Sequence, residues 1–103
     1  MQKITVKKSD LIENEIKILH TKFNDIGILK YKNKYYAFED ICTHDGEPIA
    51  NGNRKGLCIE CPRHQAEFDL ETGKALCMPA TENLPIYRIE ELENEIIIIL
   101  EEP

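Results

Sequence analysis

Two short motifs hold the residues best suited to chemistry: Cys42-Thr43-His44 and, after sixteen intervening residues, Cys61-Pro62-Arg63-His64. Each pairs one thiol with one imidazole. Thiolates are soft anionic ligands and imidazoles are neutral nitrogen donors, so two such pairs suit a metal centre with two chemically different halves. A single ion is a poorer match. The one residue between Cys42 and His44 leaves little room for both to bind the same metal.

A [2Fe–2S] cluster with two cysteines on one iron and two histidines on the other has two such halves. At both motifs the chain resembles the Rieske ferredoxin family, from Glu39 to Ala80 and in the strands on either side. The resemblance implies a β base carrying a ligand-bearing insert, with Cys42 and Cys61 on the inner iron and His44 and His64 on the outer one. Two ferric ions, two sulfides and two thiolates sum to zero charge, and one electron makes the centre −1. Neutral imidazoles in place of two thiolates ease that reduction. They raise the potential to roughly −150 to +300 mV, against roughly −400 mV for plant-type ferredoxins.

Neighbouring residues set the position within that range. High-potential family members place a serine two residues beyond the last ligand histidine and a tyrosine four beyond, and they link the two ligand loops by a disulfide. Here those positions are Ala66 and Phe68, which have no hydroxyl to donate, and Glu47 and Arg63, which cannot form a disulfide. A potential low in the Rieske range is expected. Gln65 stands where the family commonly has glycine, and Met78-Pro79-Ala80 resembles the third loop that shields the cluster from water. Asp45 and Arg63 flank the ligand histidines, either as two solvated charges or as an ion pair between loops.

The main rival is a structural zinc site in which Cys58-Ile59-Glu60-Cys61 acts as a C-x-x-C with Cys42 and one histidine. It leaves the other motif histidine without a use. A thioredoxin-like dithiol at Cys58 and Cys61 should open a helix, whereas this pair ends a predicted strand. Cys58 and Cys77 read as small buried hydrophobes. His20 receives no role, and Tyr31, Tyr35 and Tyr36 read as sheet residues.

The elements that position the motifs are short and extended. Lys3 to Val6, Glu15 to Thr21, Ile26 to Tyr31 and Tyr35 to Phe38 read as strands, with Ser9-Asp10 in a turn and Asn33-Lys34 as a hairpin tip. Glycines and prolines then punctuate 39–80, where Leu57 to Glu60 and Glu67 to Leu70 are predicted strands and Gly73 a positive-φ site. Ile86 to Glu90 and Glu95 to Leu100 complete the set. The unbroken Ile96 to Leu100 run implies a strand covered on both faces or a blunted edge. The predicted fold is all-β: one domain, a small antiparallel sandwich or barrel from 1–38 and 81–103, with 39–80 inserted as a cluster-binding lobe.

Composition agrees with a modest function. The chain has 103 residues and a net charge of −6, with thirteen Lys and Arg scattered among nineteen acids, which argues against nucleic acid. Its longest apolar run is far short of the ~20 residues of a membrane span. No signal-peptide pattern opens the chain, and four cysteines in such a chain suggest metal rather than disulfides. A cytoplasmic monomer is expected. Family members of this size commonly pass electrons from a flavin reductase to a terminal oxygenase. The resemblance therefore implies a one-electron carrier within a multicomponent oxidoreductase system, not an enzyme by itself. A small subunit of a nitrite-reductase-like complex and a zinc-stabilised interaction module are the alternatives.

Overall fold

β-Branched and aromatic residues at alternating positions favour extended chain over helix, and the molecule is built almost wholly of antiparallel strands. The computed structural model describes residues 2–22, 24–42, 48–62, 66–77 and 82–100. Among these residues nine strands follow in order: β1 (Gln2–Lys7), β2 (Ile16–His20), β3 (Asp25–Tyr31), β4 (Lys34–Glu39), β5 (Arg54–Lys55), β6 (Cys58–Glu60), β7 (Glu67–Asp69), β8 (Ile86–Glu91) and β9 (Glu95–Leu100). They form a six-stranded sheet ordered β1-β9-β8-β4-β3-β2 and a three-stranded sheet ordered β5-β6-β7.

The isoleucine run is an interior strand. β9 pairs with β1 from Gln2↔Leu100 to Lys7↔Glu95 and with β8 from Arg88↔Ile99 to Glu91↔Ile96. Ile96, Ile98 and the opposite-facing Ile99 are all buried, so the strand is covered on both faces. The sheet edges are β1 and β2 instead.

Three local readings shift. The β3–β4 hairpin turns at Lys32 and Asn33, with φ of 50° and 64°, one residue earlier than predicted. Two successive positive φ values match the twist of a tight hairpin, and Asn tolerates them. Ser9 and Asp10 lie in one turn of 3₁₀ helix, Lys8–Asp10, rather than in an irregular turn. β5 has no apolar pattern to announce it. The Arg54 guanidinium anchors it, donating to the Gly56 carbonyl at 2.6 Å and to the Asn14 carbonyl at 2.6 Å.

Two apolar clusters fill the interior. One, with Val6, Leu11, Ile26, Ile28, Ile96 and Ile98, lies within the six-stranded sheet. The other joins Leu29 and Phe38 of that sheet to Ile59 and Phe68 of the smaller one, and both motif cysteines lie in it.

Candidate metal centre

Cys42 follows β4 by three residues, and the chain is held tightly on both sides of it. Asp40 N–H donates to the Asp25 carbonyl at 2.9 Å, and Glu39 N–H to the Pro85 carbonyl at 2.9 Å. The Asp40 carboxylate then accepts from Ile49 N–H at 2.9 Å and Ala50 N–H at 2.8 Å. One side chain thus joins the departure of the first motif loop to its return.

The return is pressed against the second motif. Gly52 N–H donates to the Ile49 carbonyl and Glu60 N–H to the Asn53 carbonyl, both at 2.8 Å. A Cβ on Gly52 would clash with the Glu60 carbonyl oxygen, so only glycine permits this approach. One residue on, Cys61 N–H donates to the Ala66 carbonyl at 2.6 Å and closes the second motif loop at its base.

Cys42 and Cys61 are both fully buried and share one apolar cluster with Ile49, Ile59, Ala66 and Phe68. Among the described residues no polar or charged side chain is buried. A thiolate pair in such surroundings needs a bound cation to offset its desolvation, so the donor set fits an iron held from the protein side by sulfur. The expected low-potential positions are placed as well: Ala66 and Phe68 are fully buried in this cluster. His44 and His64 lie outside the described residues, as do Asp45, Glu47, Arg63, Gln65 and Met78-Pro79-Ala80.

The zinc reading fails on Cys58. Within β6 side chains alternate, so Cys58 and Ile59 face opposite ways. Ile59 and Cys61 join the core, whereas Cys58 Sγ lies 3.7 Å from Glu67 Oε1. Among the described residues no three His, Cys, Asp or Glu side chains gather as a metal-holding group, although Cys42, Cys58 and Cys61 are all described.

The view of Cys58 and Cys77 as core hydrophobes is also corrected. Both are half-buried, and Cys77 Sγ lies 3.3 Å from Glu67 Oε2. Burial, then the nearby Glu67 charge, pushes the Cys58 thiol up. Burial, then the hydrogen bond to Glu67, does the same at Cys77. His20 sits on the exposed surface with Asp25 Oδ1 2.9 Å from its ring Nδ1. Sequence reasoning missed Asp40 and Gly52. A short acid two residues before a motif cysteine was the available signal for Asp40, whereas nothing local announces the close approach at Gly52.

Among the described residues, no helix is long and apolar enough to cross a membrane. A family model, the Rieske [2Fe-2S] domain, matches residues 2–88. The ferredoxin component of a naphthalene 1,2-dioxygenase system from Pseudomonas putida is 34% identical over 94 residues, covering 91% of this chain and 89% of the relative. The ferredoxin of carbazole 1,9a-dioxygenase from Nocardioides aromaticivorans IC177 superposes with a TM-score of 0.85 at 20% identity, over 94% of this chain and 95% of that one. A chain from a complex of reduced oxygenase and oxidized ferredoxin in carbazole 1,9a-dioxygenase gives a TM-score of 0.82 at 28% identity, with 92% of each chain covered. This protein belongs to the Rieske [2Fe–2S] domain family and is an electron carrier with one Rieske-type cluster.

Proposed function

We propose that this chain is the ferredoxin component of a multicomponent oxygenase, taking single electrons from a flavin reductase and delivering them to a terminal oxygenase. In this reading Cys42, His44, Cys61 and His64 are the ligands. Residues 39–80 form the cluster-binding lobe on a base made of 1–38 and 81–103, and the chain works as a cytoplasmic monomer. The observation that carries it is the burial of Cys42 and Cys61 together in one apolar cluster, each two or three residues before a histidine. Kinship with the naphthalene dioxygenase ferredoxin component supports the choice of partner.

When bound, the cluster supplies reversible one-electron chemistry. The chain supplies the setting. Asp40 and Gly52 bring the two loops together, and the Cys61–Ala66 hydrogen bond fixes the second cysteine's backbone. Ile49, Ile59 and Phe68 keep water from the sulfur side. Ala66 and Phe68 offer no hydroxyl to stabilise a reduced centre, so the potential stays low. An acidic surface with a net charge of −6 favours a partner with a basic docking patch, whose association slows as salt is added.

The test is metal analysis with EPR of the dithionite-reduced protein and of His44→Cys and His64→Cys variants. The expected result is two irons per chain and a rhombic signal that each variant alters. One metal per chain, or silence to dithionite after anaerobic reconstitution, overturns the reading. A midpoint above about +200 mV, high in the Rieske range, overturns the low-potential part.

A further inference from the structure

β7 has a neighbour on each side. β6 pairs with it on one side, from Cys58↔Asp69 to Glu60↔Glu67. On the other runs the stretch Ala75 to Cys77, where Phe68 bridges Ala75 and Leu76 N–H donates to the Glu67 carbonyl at 2.8 Å. The Glu67 side chain reaches both neighbours. Its Oε1 lies 3.7 Å from Cys58 Sγ and its Oε2 3.3 Å from Cys77 Sγ. Asn83 Oδ1 accepts from Ala75 N–H at 3.0 Å, so the stretch is also tied to residues that follow 78–81.

We propose that Glu67 is a positioning residue for the third loop, fixing its point of departure by accepting one thiol hydrogen bond from the segment on each side of β7. The inference rests on the reading of 39–80 as the cluster-binding lobe, whose third loop begins just after Cys77. Three features make the carboxylate effective here. A hydrogen bond to an ionised acceptor is stronger than a neutral one. The carboxylate has two oxygens, and each meets a different sulfur. A β-ladder alone fixes Leu76 through one backbone bond, and the Cys77 contact extends that hold by one residue. Burial and the neighbouring carboxylate push both thiols up, in keeping with their place as protonated donors to Glu67.

Glu67→Ala, Cys77→Ala and Cys77→Ser variants of the reconstituted protein test this, read by amide exchange at Leu76, iodoacetamide alkylation of Cys58 and Cys77, and midpoint potential. In Glu67→Ala, exchange at Leu76 and alkylation of both thiols should rise about tenfold or more, with amides of β2 and β3 unchanged and the midpoint displaced. Cys77→Ala should repeat the exchange and midpoint changes. Cys77→Ser, which keeps a donor at that position, should restore the parent values. Exchange at Leu76 within about twofold of the parent in Cys77→Ala, or Cys77→Ala and Cys77→Ser alike, overturns the proposal. This pair decides the matter even if Glu67→Ala fails to fold. Exchange and alkylation do not depend on the cluster's identity, so a chain without a two-iron centre defeats the electron-carrier reading and leaves these two measurements to judge Glu67.

Discussion

The six-stranded and three-stranded sheets keep their shape by different means. In the larger, β1–β9 and β3–β4 each run for six pairs and β2–β3 for five, over a cluster rich in isoleucine. In the smaller, β5–β6 runs for two pairs and β6–β7 for three. Ladders that short are weak by themselves. Their place is taken by single contacts: the Asp40 carboxylate on two amides, Gly52 against Glu60, and Glu67 between two thiols. The large sheet spreads its stability over many similar interactions, whereas the small one concentrates it in a few particular residues beside the motif cysteines. A redox site needs that second kind of order, because ligand positions have to be held individually and not just on average.

This contrast can be tested at four levels. The sharpest is a pair of core truncations. Phe68→Ala should cost about 3–5 kcal/mol and Ile98→Ala about 2–5 kcal/mol in guanidinium unfolding. Only the first should also alter the EPR line shape, and equal spectral changes in both would erase the distinction between the two cores. Next comes Gly52→Ala. Its Cβ meets backbone and no flexible side chain can yield, so a loss of about 3 kcal/mol is expected in thermal melts, with poorer cluster retention. Asp40→Ala strands the Ile49 and Ala50 amides and should cost about 1–2 kcal/mol. Amide exchange confined to 48–52 would locate that loss. The smallest effect belongs to the large sheet's periphery. Lys8 Nζ lies 2.8 Å from Glu91 Oε2, but the Glu91 side chain is 53% exposed. Replacing Lys8 by Met should change stability by less than about 1 kcal/mol, and by less still in high salt.

Much of the large sheet could be read in advance because its signals are local. Ile96 to Ile99 are apolar and β-branched, and Glu95 to Leu100 is β9 with the predicted limits. Gly73 has the expected positive φ of 79°. Cys42 and Cys61 stand out by spacing, and the structure buries both in one apolar cluster, while the resemblance made the fold and the cofactor legible. Where foresight failed, the deciding partner was distant in sequence. Cys58 looked like half of a C-x-x-C, yet its companion is Glu67 across a strand pair. Arg54 forms a strand end because Asn14, far earlier in the chain, accepts its guanidinium. Asp40 caps amides nine and ten residues on, at a distance no repeat pattern encodes. Each of these depends on a partner that no local pattern names.

The placement of β9 beside β1 bears on how the protein is made. Ile4 faces Ile98, and among the described residues β1 has no sheet partner but β9, so the strand it pairs with is synthesised long after β1 itself. The hairpin of β3 and β4, with a short turn between its arms, can form long before that. Cys42 and Cys61 are synthesised in that interval, so both motifs are complete before the β1–β9 seam can close.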